Sequence, residues 1–206
     1  MQVTFLPVRE QAALELYSPQ LVAWIYETGP RHFEWLFGNR ELAFDNLAAW
    51  TRRANSQFSG LTATLVLSDD EPAGVFLARA GKELPACQRA DIMVLMKSYQ
   101  SGERVELMRR LPLLSGMEAP VDPADYYLRI LAVDAAHRGK GLGRRLLQQY
   151  VDDGTAAKFQ RFRVDVRSDN AAALALYRSA GFETLREGTG VDSGGDYKVA
   201  SMLMVK

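Results

Sequence analysis

A glycine-rich, basic segment in the second half of the chain has the composition of an anion-binding site. It reads Arg138-Gly139-Lys140-Gly141-Leu142-Gly143-Arg144-Arg145 and follows an apolar stretch that ends at Val133. The amphipathic spacing that begins at Leu142 predicts that a helix starts inside this segment. The first backbone amides of a helix lack intrahelical partners and carry partial positive charge, and glycines let an anion approach them. The segment therefore predicts a phosphate cradle.

Two common nucleotide-binding motifs do not fit these residues. A P-loop requires Gly-x-x-x-x-Gly-Lys-Ser/Thr, whereas Lys140 is followed by Gly141. A Rossmann fingerprint requires a third glycine at a position where Arg144 or Leu146 stands, depending on the first glycine chosen. A helix N-terminus with surface arginines and no ligand is the alternative that composition alone leaves open.

A second segment, Asp165 to Phe182, carries polar residues at the start of another predicted helix. Asn170 is suited to cap that helix, and Gly181 is suited to end it. Tyr177 follows Asn170 by seven positions, about two helical turns, so both side chains are expected on one face. Taken alone, the segment also fits an amphipathic helix with a tyrosine in the core.

Both segments resemble motifs of the GNAT superfamily of N-acetyltransferases. Residues 138–143 match the signature Arg/Gln-x-x-Gly-x-Gly/Ala, and Asn170 to Tyr177 followed by Gly181-Phe182 match the second block of that family. Residues 165–177 also resemble the ribosomal-protein alanine acetyltransferases. The resemblance covers residues 124–205 well and the rest of the chain only loosely.

The resemblance implies acetyl-CoA as co-substrate and no metal. Backbone groups of residues 131–133 are expected to pair with the pantetheine arm, and amides of residues 138–144 to hold the pyrophosphate. Asn170 is expected to touch the CoA arm and Tyr177 to lie near its sulfur. The implied CoA-binding residues are Leu131, Ala132, Val133, Arg138, Gly139, Lys140, Gly141, Leu142, Gly143, Arg144, Asn170 and Tyr177.

The activity implied is transfer of an acetyl group to a primary amine by direct attack. Tyr177 is the expected general acid, because a phenol is protonated at neutral pH and can donate to a leaving thiolate. Asp165 stands where the alanine acetyltransferases have a glutamate base, but it is one methylene shorter, so a bridging water is expected. A structural carboxylate paired with an arginine is the alternative for Asp165. A longer acyl-CoA as donor and a non-catalytic acyl-CoA sensor are the alternative functions.

The expected fold is α/β (α+β), with a mixed, mostly antiparallel central sheet flanked by helices. No element is assigned to the segment around His32. The predicted strands are 1–8, 61–67, 74–80, 126–133, 161–166, 182–186 and 197–204, and the predicted helices outside residues 81–123 are 11–27, 39–54, 141–153 and 170–180.

Residues 81–123 form an insertion between the third and fourth strands, where a minimal GNAT protein has a short turn. Their apolar spacing predicts helices rather than a disordered loop. A cap over the acceptor site is one interpretation, and a packing insertion or a dimer contact is the other.

Length and composition set the remaining expectations. A chain of 206 residues fits one domain, with a CoA-binding core at about 124–182. A formal net charge of zero argues against non-specific nucleic-acid binding, and the lone Cys87 gives no sign of an oxidising compartment. The absence of a long apolar run predicts no membrane segment, and the cytoplasm is the expected location. The expected partner is an amine, either a small molecule or a protein or peptide amine, and a homodimer is left open.

Overall fold

The structure is a computed structural model that describes residues 2–114 and 116–206. Within these ranges the chain forms seven strands and seven α-helices, which alternate one by one only from the fourth strand to the sixth. The strands are β1 Val3–Pro7, β2 Ala63–Ser68, β3 Glu71–Ala80, β4 Asp125–Val133, β5 Arg161–Arg167, β6 Glu183–Asp192 and β7 Gly195–Val205. The helices are α1 Gln11–Glu27, α2 Pro30–Phe37, α3 Arg40–Thr51, α4 Leu84–Ser98, α5 Ser101–Arg110, α6 Leu142–Ala156 and α7 Ala171–Ser179.

The seven strands form one sheet in the order β1-β2-β3-β4-β5-β7-β6. All neighbouring pairs run antiparallel except β4 and β5, which run parallel. The parallel pair is joined through α6, as a parallel connection requires a crossover. The expected α/β fold with a mostly antiparallel sheet is confirmed.

The sheet separates two apolar clusters, one on each face. Alternate residues of β3 show this division, because successive side chains of a strand point to opposite faces. Val75 and Leu77 pack with α1 to α5, whereas Phe76 and Ala78 pack with α6 and α7. Helices thus cover both faces of the sheet, and the fourth strand lies at its centre.

One helix was missed from the sequence. Residues 30–37 form α2, which begins at Pro30 and ends before Gly38, where φ is +108°. The flanking Gly29-Pro30 and Gly38-Asn39 are typical of loops, and eight residues are too few to show a clear helical period. His32 lies on this helix.

Two other elements extend beyond their predicted ends, which were residue 153 for the helix and residue 186 for the strand. Helix α6 continues past Gly154. A Cβ at this position would meet the rings of Tyr126 and Phe162 at 2.5 and 2.6 Å, so the packing of these rings requires glycine there. Strand β6 continues past Gly188, where a Cβ would lie 2.2 Å from the carbonyl oxygen of Met117. At these positions glycine permits close packing rather than ending an element.

The insertion between β3 and β4 contains the expected helices, α4 and α5. They pack beside α2 and α3: the Tyr99 hydroxyl accepts a hydrogen bond from Asn46 and donates one to the carbonyl of Phe37. The Trp50 indole donates to the carbonyl of Asp91 on α4. These contacts favour the packing interpretation for the two helices.

As for membrane insertion, none of the helices in residues 2–114 and 116–206 combines the length and the apolar character that a bilayer-spanning helix requires.

Candidate functional site

The central feature of the site is a gap between β4 and β5. The two strands pair only from Asp125 and Arg161 to Leu128 and Val164. Strand β4 then runs on to Val133 without pairing to β5. Its end that is not paired to β5 contains residues 131–133, which the GNAT resemblance implies for the pantetheine arm.

A β-bulge lies where the two strands separate. The pairing of β3 with β4 passes from Leu77–Ile130 to Ala78–Leu128, so Arg129 is the extra residue on β4. A bulge bends its strand and increases the local twist. The bulge therefore accounts for the turn of β4 away from β5, and Arg129 lines the space that opens.

This space is a cavity of about 190 Å³. Its walls come from β4, β5 and β7, from α2 and α7, and from residues 117–118 at the end of the insertion. The predicted site residues that line it are Leu131, Asp165, Asn170 and Tyr177. Among the described residues of the segment predicted as a cap, only Met117 and Glu118 reach the cavity, because α4 and α5 lie beyond α2 and α3.

The predicted phosphate cradle adjoins the end of β4. Gly139 and Gly141 have φ values of +76° and +79°, which favour glycine, and a Cβ at either position would meet nothing within 4 Å. The backbone amides of residues 139–144 donate to no acceptor in the described parts of the chain, whereas the Arg138 amide, also predicted to hold the pyrophosphate, donates to the carbonyl of Ala135 at 3.4 Å. Six consecutive free amides at a helix N-terminus form an opening that can bind an anion.

The side chains of the cradle are arranged in two ways. Leu142 is buried in the core. Gly143 packs against Leu176, and a Cβ added to Gly143 would lie 3.6 Å from the Cδ2 of Leu176. Lys140 and Arg144 are exposed, whereas the guanidinium of Arg138 donates to the carbonyl of Val133 at 3.2 Å. The cradle thus has a packed inner side and a cationic outer side.

Helix α7 brings two predicted residues to the cavity. The Asn170 Oδ1 caps the helix by accepting from the Ala173 amide at 3.1 Å, so the amide group of its side chain stays free to donate. Tyr177 is buried beside Phe182, and its hydroxyl has no hydrogen-bond partner among the described residues. Burial raises the pKa of Tyr177 above its usual value, which keeps the phenol protonated at neutral pH.

Asp165 on β5 combines an ion pair with an unsatisfied oxygen. Its Oδ1 accepts from Arg163 at 2.8 Å and from the Ser201 hydroxyl at 2.5 Å. Its Oδ2 is buried and has no partner in the described structure. Burial, and then the negative charge of Glu118, raise the pKa of Asp165. The ion pair with Arg163 is what the alternative for Asp165, a structural carboxylate paired with an arginine, predicts. The unpartnered Oδ2 can still accept a hydrogen bond from a further donor.

The cavity residues that the sequence did not assign include His32, Glu118, Arg129 and Tyr197. Burial and the nearby Arg129 lower the pKa of His32 to about 4, so its ring is neutral at neutral pH. The Nδ1 of His32 lies 3.1 Å from the Tyr197 hydroxyl, and its Nε2 has no partner in the described residues. Isolated residues on elements far apart in sequence gave no motif that could have predicted this wall.

A metal centre was not expected, and the described residues contain no group of three or more His, Cys, Asp or Glu placed to hold a metal ion.

Comparisons with known proteins agree with this geometry. A segment of the chain is 46% identical over 61 residues to the N-alpha-acetyltransferase RimI of Mycobacterium tuberculosis, which is 30% of this chain and 37% of that protein. Another match is 42% identical over 52 residues to the [ribosomal protein bS18]-alanine N-acetyltransferase of Escherichia coli, 25% of this chain and 35% of the relative. The matches therefore span less than two fifths of the length of these relatives.

The fold is also similar to that of solved acetyltransferases. A putative acetyltransferase from Salmonella typhimurium, solved with its cofactor acetyl-CoA, superposes with a TM-score of 0.59 at 17% identity, covering 100% of this chain and 94% of that one. The sequence profile of the acetyltransferase (GNAT) family matches residues 15–182, a range that contains the cradle, the gap and Tyr177. The chain therefore belongs to the GNAT family of acetyltransferases.

Proposed function

We propose that the chain transfers an acetyl group from acetyl-CoA to a primary amine. The observation that carries this proposal is the run of free amides at residues 139–144, which adjoins the gap between β4 and β5. If the pyrophosphate of acetyl-CoA binds these amides and its pantetheine arm lies along β4, the thioester end of the molecule reaches the cavity.

The residues present fit CoA along this path. The amides of residues 139–144 would hold the pyrophosphate, with Lys140 and Arg144 adding positive charge. The backbone of residues 131–133, which β5 leaves unpaired, would bind the pantetheine arm, and the side-chain amide of Asn170 would donate to it. When bound, acetyl-CoA supplies the thioester that donates the acetyl group.

Tyr177 is the general acid in this proposal. Its raised pKa keeps the proton on Oη, and no described residue competes for that proton. A thiol, with a pKa of about 8.5, is a stronger acid than the phenol, so transfer of the proton to the sulfur is uphill and is coupled to breaking of the C–S bond. The tyrosinate then takes a proton back from solvent before the next turnover. Backbone amides near Ala132 and Val133 would polarise the thioester carbonyl.

Asp165 is the candidate base, acting through water. Arg163 and Ser201 occupy its Oδ1, and its Oδ2 is buried, so direct contact with an amine requires a shift of the side chain. After such a shift, a water at Oδ2 would pass the proton from the amine to the carboxylate, whose pKa burial raises. The ion pair with Arg163 also holds the carboxylate in place.

The acceptor is proposed to be an amine of a protein, a peptide or a small molecule. The relatives named for N-alpha-amines and for the alanine of a ribosomal protein support a protein N-terminus as one candidate. The cytoplasmic location and the homodimer stay predictions.

The test combines two measurements on the full chain. Calorimetry measures acetyl-CoA binding, and release of free CoA thiol measures transfer to a panel of amino-acid amides, peptides and amine antibiotics. Amine-dependent thiol release supports the proposal. Tight acetyl-CoA binding without release in the presence of any amine would favour the sensor alternative, and no binding at all would exclude both functions.

A further inference from the structure

Residues 116–119, called the strap below, lie near the end of the insertion and are hydrogen-bonded to two strands. The Ala119 amide donates to the Ser201 hydroxyl on β7 at 2.8 Å. The Ala119 carbonyl accepts from Nη2 of Arg163 on β5 at 3.2 Å. Both ends of one peptide residue are therefore held by side chains of the sheet.

The same two side chains hold Asp165. Ser201 stands directly opposite Asp165 in the pairing of β5 with β7, and Arg163 precedes Asp165 by two positions, on the same face of β5. The Ser201 hydroxyl and the Arg163 Nη2 donate to one oxygen of Asp165, Oδ1, at 2.5 and 2.8 Å. Ser201 and Arg163 are both fully buried. One hydroxyl and one guanidinium nitrogen thus join the strap to the carboxylate.

The Ser201 hydroxyl has a single proton, and its neighbours decide where that proton goes. The Ala119 amide can only donate, so it uses a lone pair of the hydroxyl oxygen. The hydroxyl proton is then available for Oδ1 of Asp165. Because Oδ1 already accepts from two donors, a proton taken up by Asp165 belongs on Oδ2, which has no partner among the described residues.

The anchored Oδ1 also determines how Asp165 can move. Oδ2 is buried, so contact with an amine or a bridging water needs a shift of the carboxylate. A shift that keeps both hydrogen bonds at Oδ1 turns the carboxylate about this atom and displaces Oδ2. Asp165 lines the cavity, so such a turn can bring Oδ2 to it while the ion pair with Arg163 stays intact.

We propose that Ser201 is a positioning residue for Asp165: its hydroxyl, itself held by the strap, keeps Oδ1 in place and leaves Oδ2 to take the proton of the amine and return it to solvent. This inference rests on the proposed function, because it concerns the base of that same site. The insertion then acts on the reaction through Ala119 and Ser201 rather than by covering the acceptor.

The pKa of Asp165 gives the proposal a readout that a purely structural role would not change. The charged and titratable groups that interact with Asp165 are Glu118 on the strap, Tyr127 and Arg129 on β4, and Arg163 on β5. Burial, and then the charge of Glu118, raise the pKa of Asp165, and the hydrogen bond from Ser201 opposes this rise. Loss of the hydroxyl should therefore raise the pKa of Asp165 further, because the ionised form loses a donor.

Ser201→Ala tests the proposal. With an acceptor found in the amine screen, kcat should fall by about tenfold or more, a part of the 10² to 10⁴ that a positioned base contributes, while acetyl-CoA affinity stays unchanged. The acidic limb of the pH profile of kcat/KM should move to higher pH, and carbon-13 NMR should show the Asp165 carboxyl titrating at higher pH. Ser201→Thr, which keeps the hydroxyl, should restore both. Ser201→Cys, with a weaker donor in a similar volume, should behave like Ser201→Ala and serves if that variant does not fold.

Ser56→Ala is the matched control. Ser56 is fully buried, accepts from the Phe58 amide at 3.0 Å and hydrogen-bonds the buried carboxyl of Asp91, outside the cavity wall. It should lose stability like Ser201→Ala but keep the parental kcat and pH profile.

A parental pH profile and a parental titration of Asp165 in Ser201→Ala would overturn the proposal. Equal losses of kcat in Ser201→Ala and Ser56→Ala would also overturn it, because they indicate a general effect on the fold. Absence of amine-dependent thiol release in the parent is a different result, since it would overturn the proposed function itself.

Discussion

Tyr177 is buried beside Phe182 with a hydroxyl that no described residue engages. A tyrosine that only packs in a core usually directs its hydroxyl to a partner, as Tyr150 does with the carbonyl of Tyr126. Tyr177 instead lines the cavity at which the proposed CoA path ends. The contrast between the two tyrosines is the structural support for a chemical role of Tyr177.

Tyr177→Phe should lower turnover by about 10² to 10⁴, the usual range for a positioned general acid. The effect should fall on kcat and leave acetyl-CoA affinity and stability nearly unchanged, because the ring stays and no hydrogen bond is lost. Steady-state kinetics with an acceptor found in the amine screen measures this. Tyr126→Phe is the control, since Tyr126 lies outside the cavity wall. Parental turnover in Tyr177→Phe would mean that water protonates the thiolate.

His32 predicts a measurable pH dependence of stability. Its folded pKa of about 4 lies below the unfolded value near 6.5, so the unfolded chain binds the proton first as the pH falls. The parent should therefore lose about 2 kcal/mol more unfolding free energy than His32→Gln between about pH 7.5 and pH 5. Urea unfolding at the two pH values measures the difference. Equal losses in the two proteins would show that His32 titrates normally.

The elements differ in how far the sequence could predict them. The glycine turn and the helix start of the proposed cradle were predictable, because these glycines, cations and helix-forming residues are contiguous. The gap beside it depends on the bulge at Arg129, which no local composition signals. The wall formed by His32, Glu118 and Tyr197 joins residues from α2, the insertion and β7, so only the folded chain brings them together.

Helices α4 and α5 are expected to stabilise the fold rather than to control acceptor entry. Tyr99→Phe removes the hydroxyl that joins Asn46 to the carbonyl of Phe37, and should cost about 1–3 kcal/mol of unfolding free energy. Chemical denaturation measures the loss. The acceptor KM and the acetyl-CoA affinity should not change. A rise of the acceptor KM by more than about threefold would instead support a cap over the acceptor site.

Across the whole molecule, the site joins the two layers that the sheet separates. Helix α6 lies in one apolar cluster and carries the cradle at its N-terminus, whereas α1 belongs to the other cluster. Two contacts link α1 to this region: the Trp24 indole donates to Asp134 at 3.3 Å, and Arg138 pairs with Glu27 at 3.3 Å. We therefore expect a ligand bound at the cradle to stabilise elements on both faces of the sheet.

Acetyl-CoA at about 100 times its dissociation constant should raise the unfolding free energy by roughly 2.7 kcal/mol. Gly141→Asp should abolish this gain, because it places a side chain and a negative charge where the free amides open. Gly195→Asp is a matched control: φ is +99° at Gly195 and +79° at Gly141, and a Cβ at either position meets nothing within 4 Å. Both variants bear similar backbone strain, so they should be destabilised to a similar extent without ligand, while only Gly195→Asp keeps the full response. Thermal unfolding with and without acetyl-CoA measures both effects. A parental response in Gly141→Asp would mean that the pyrophosphate binds elsewhere, and the assignment of residues 139–144 as the cradle would be wrong.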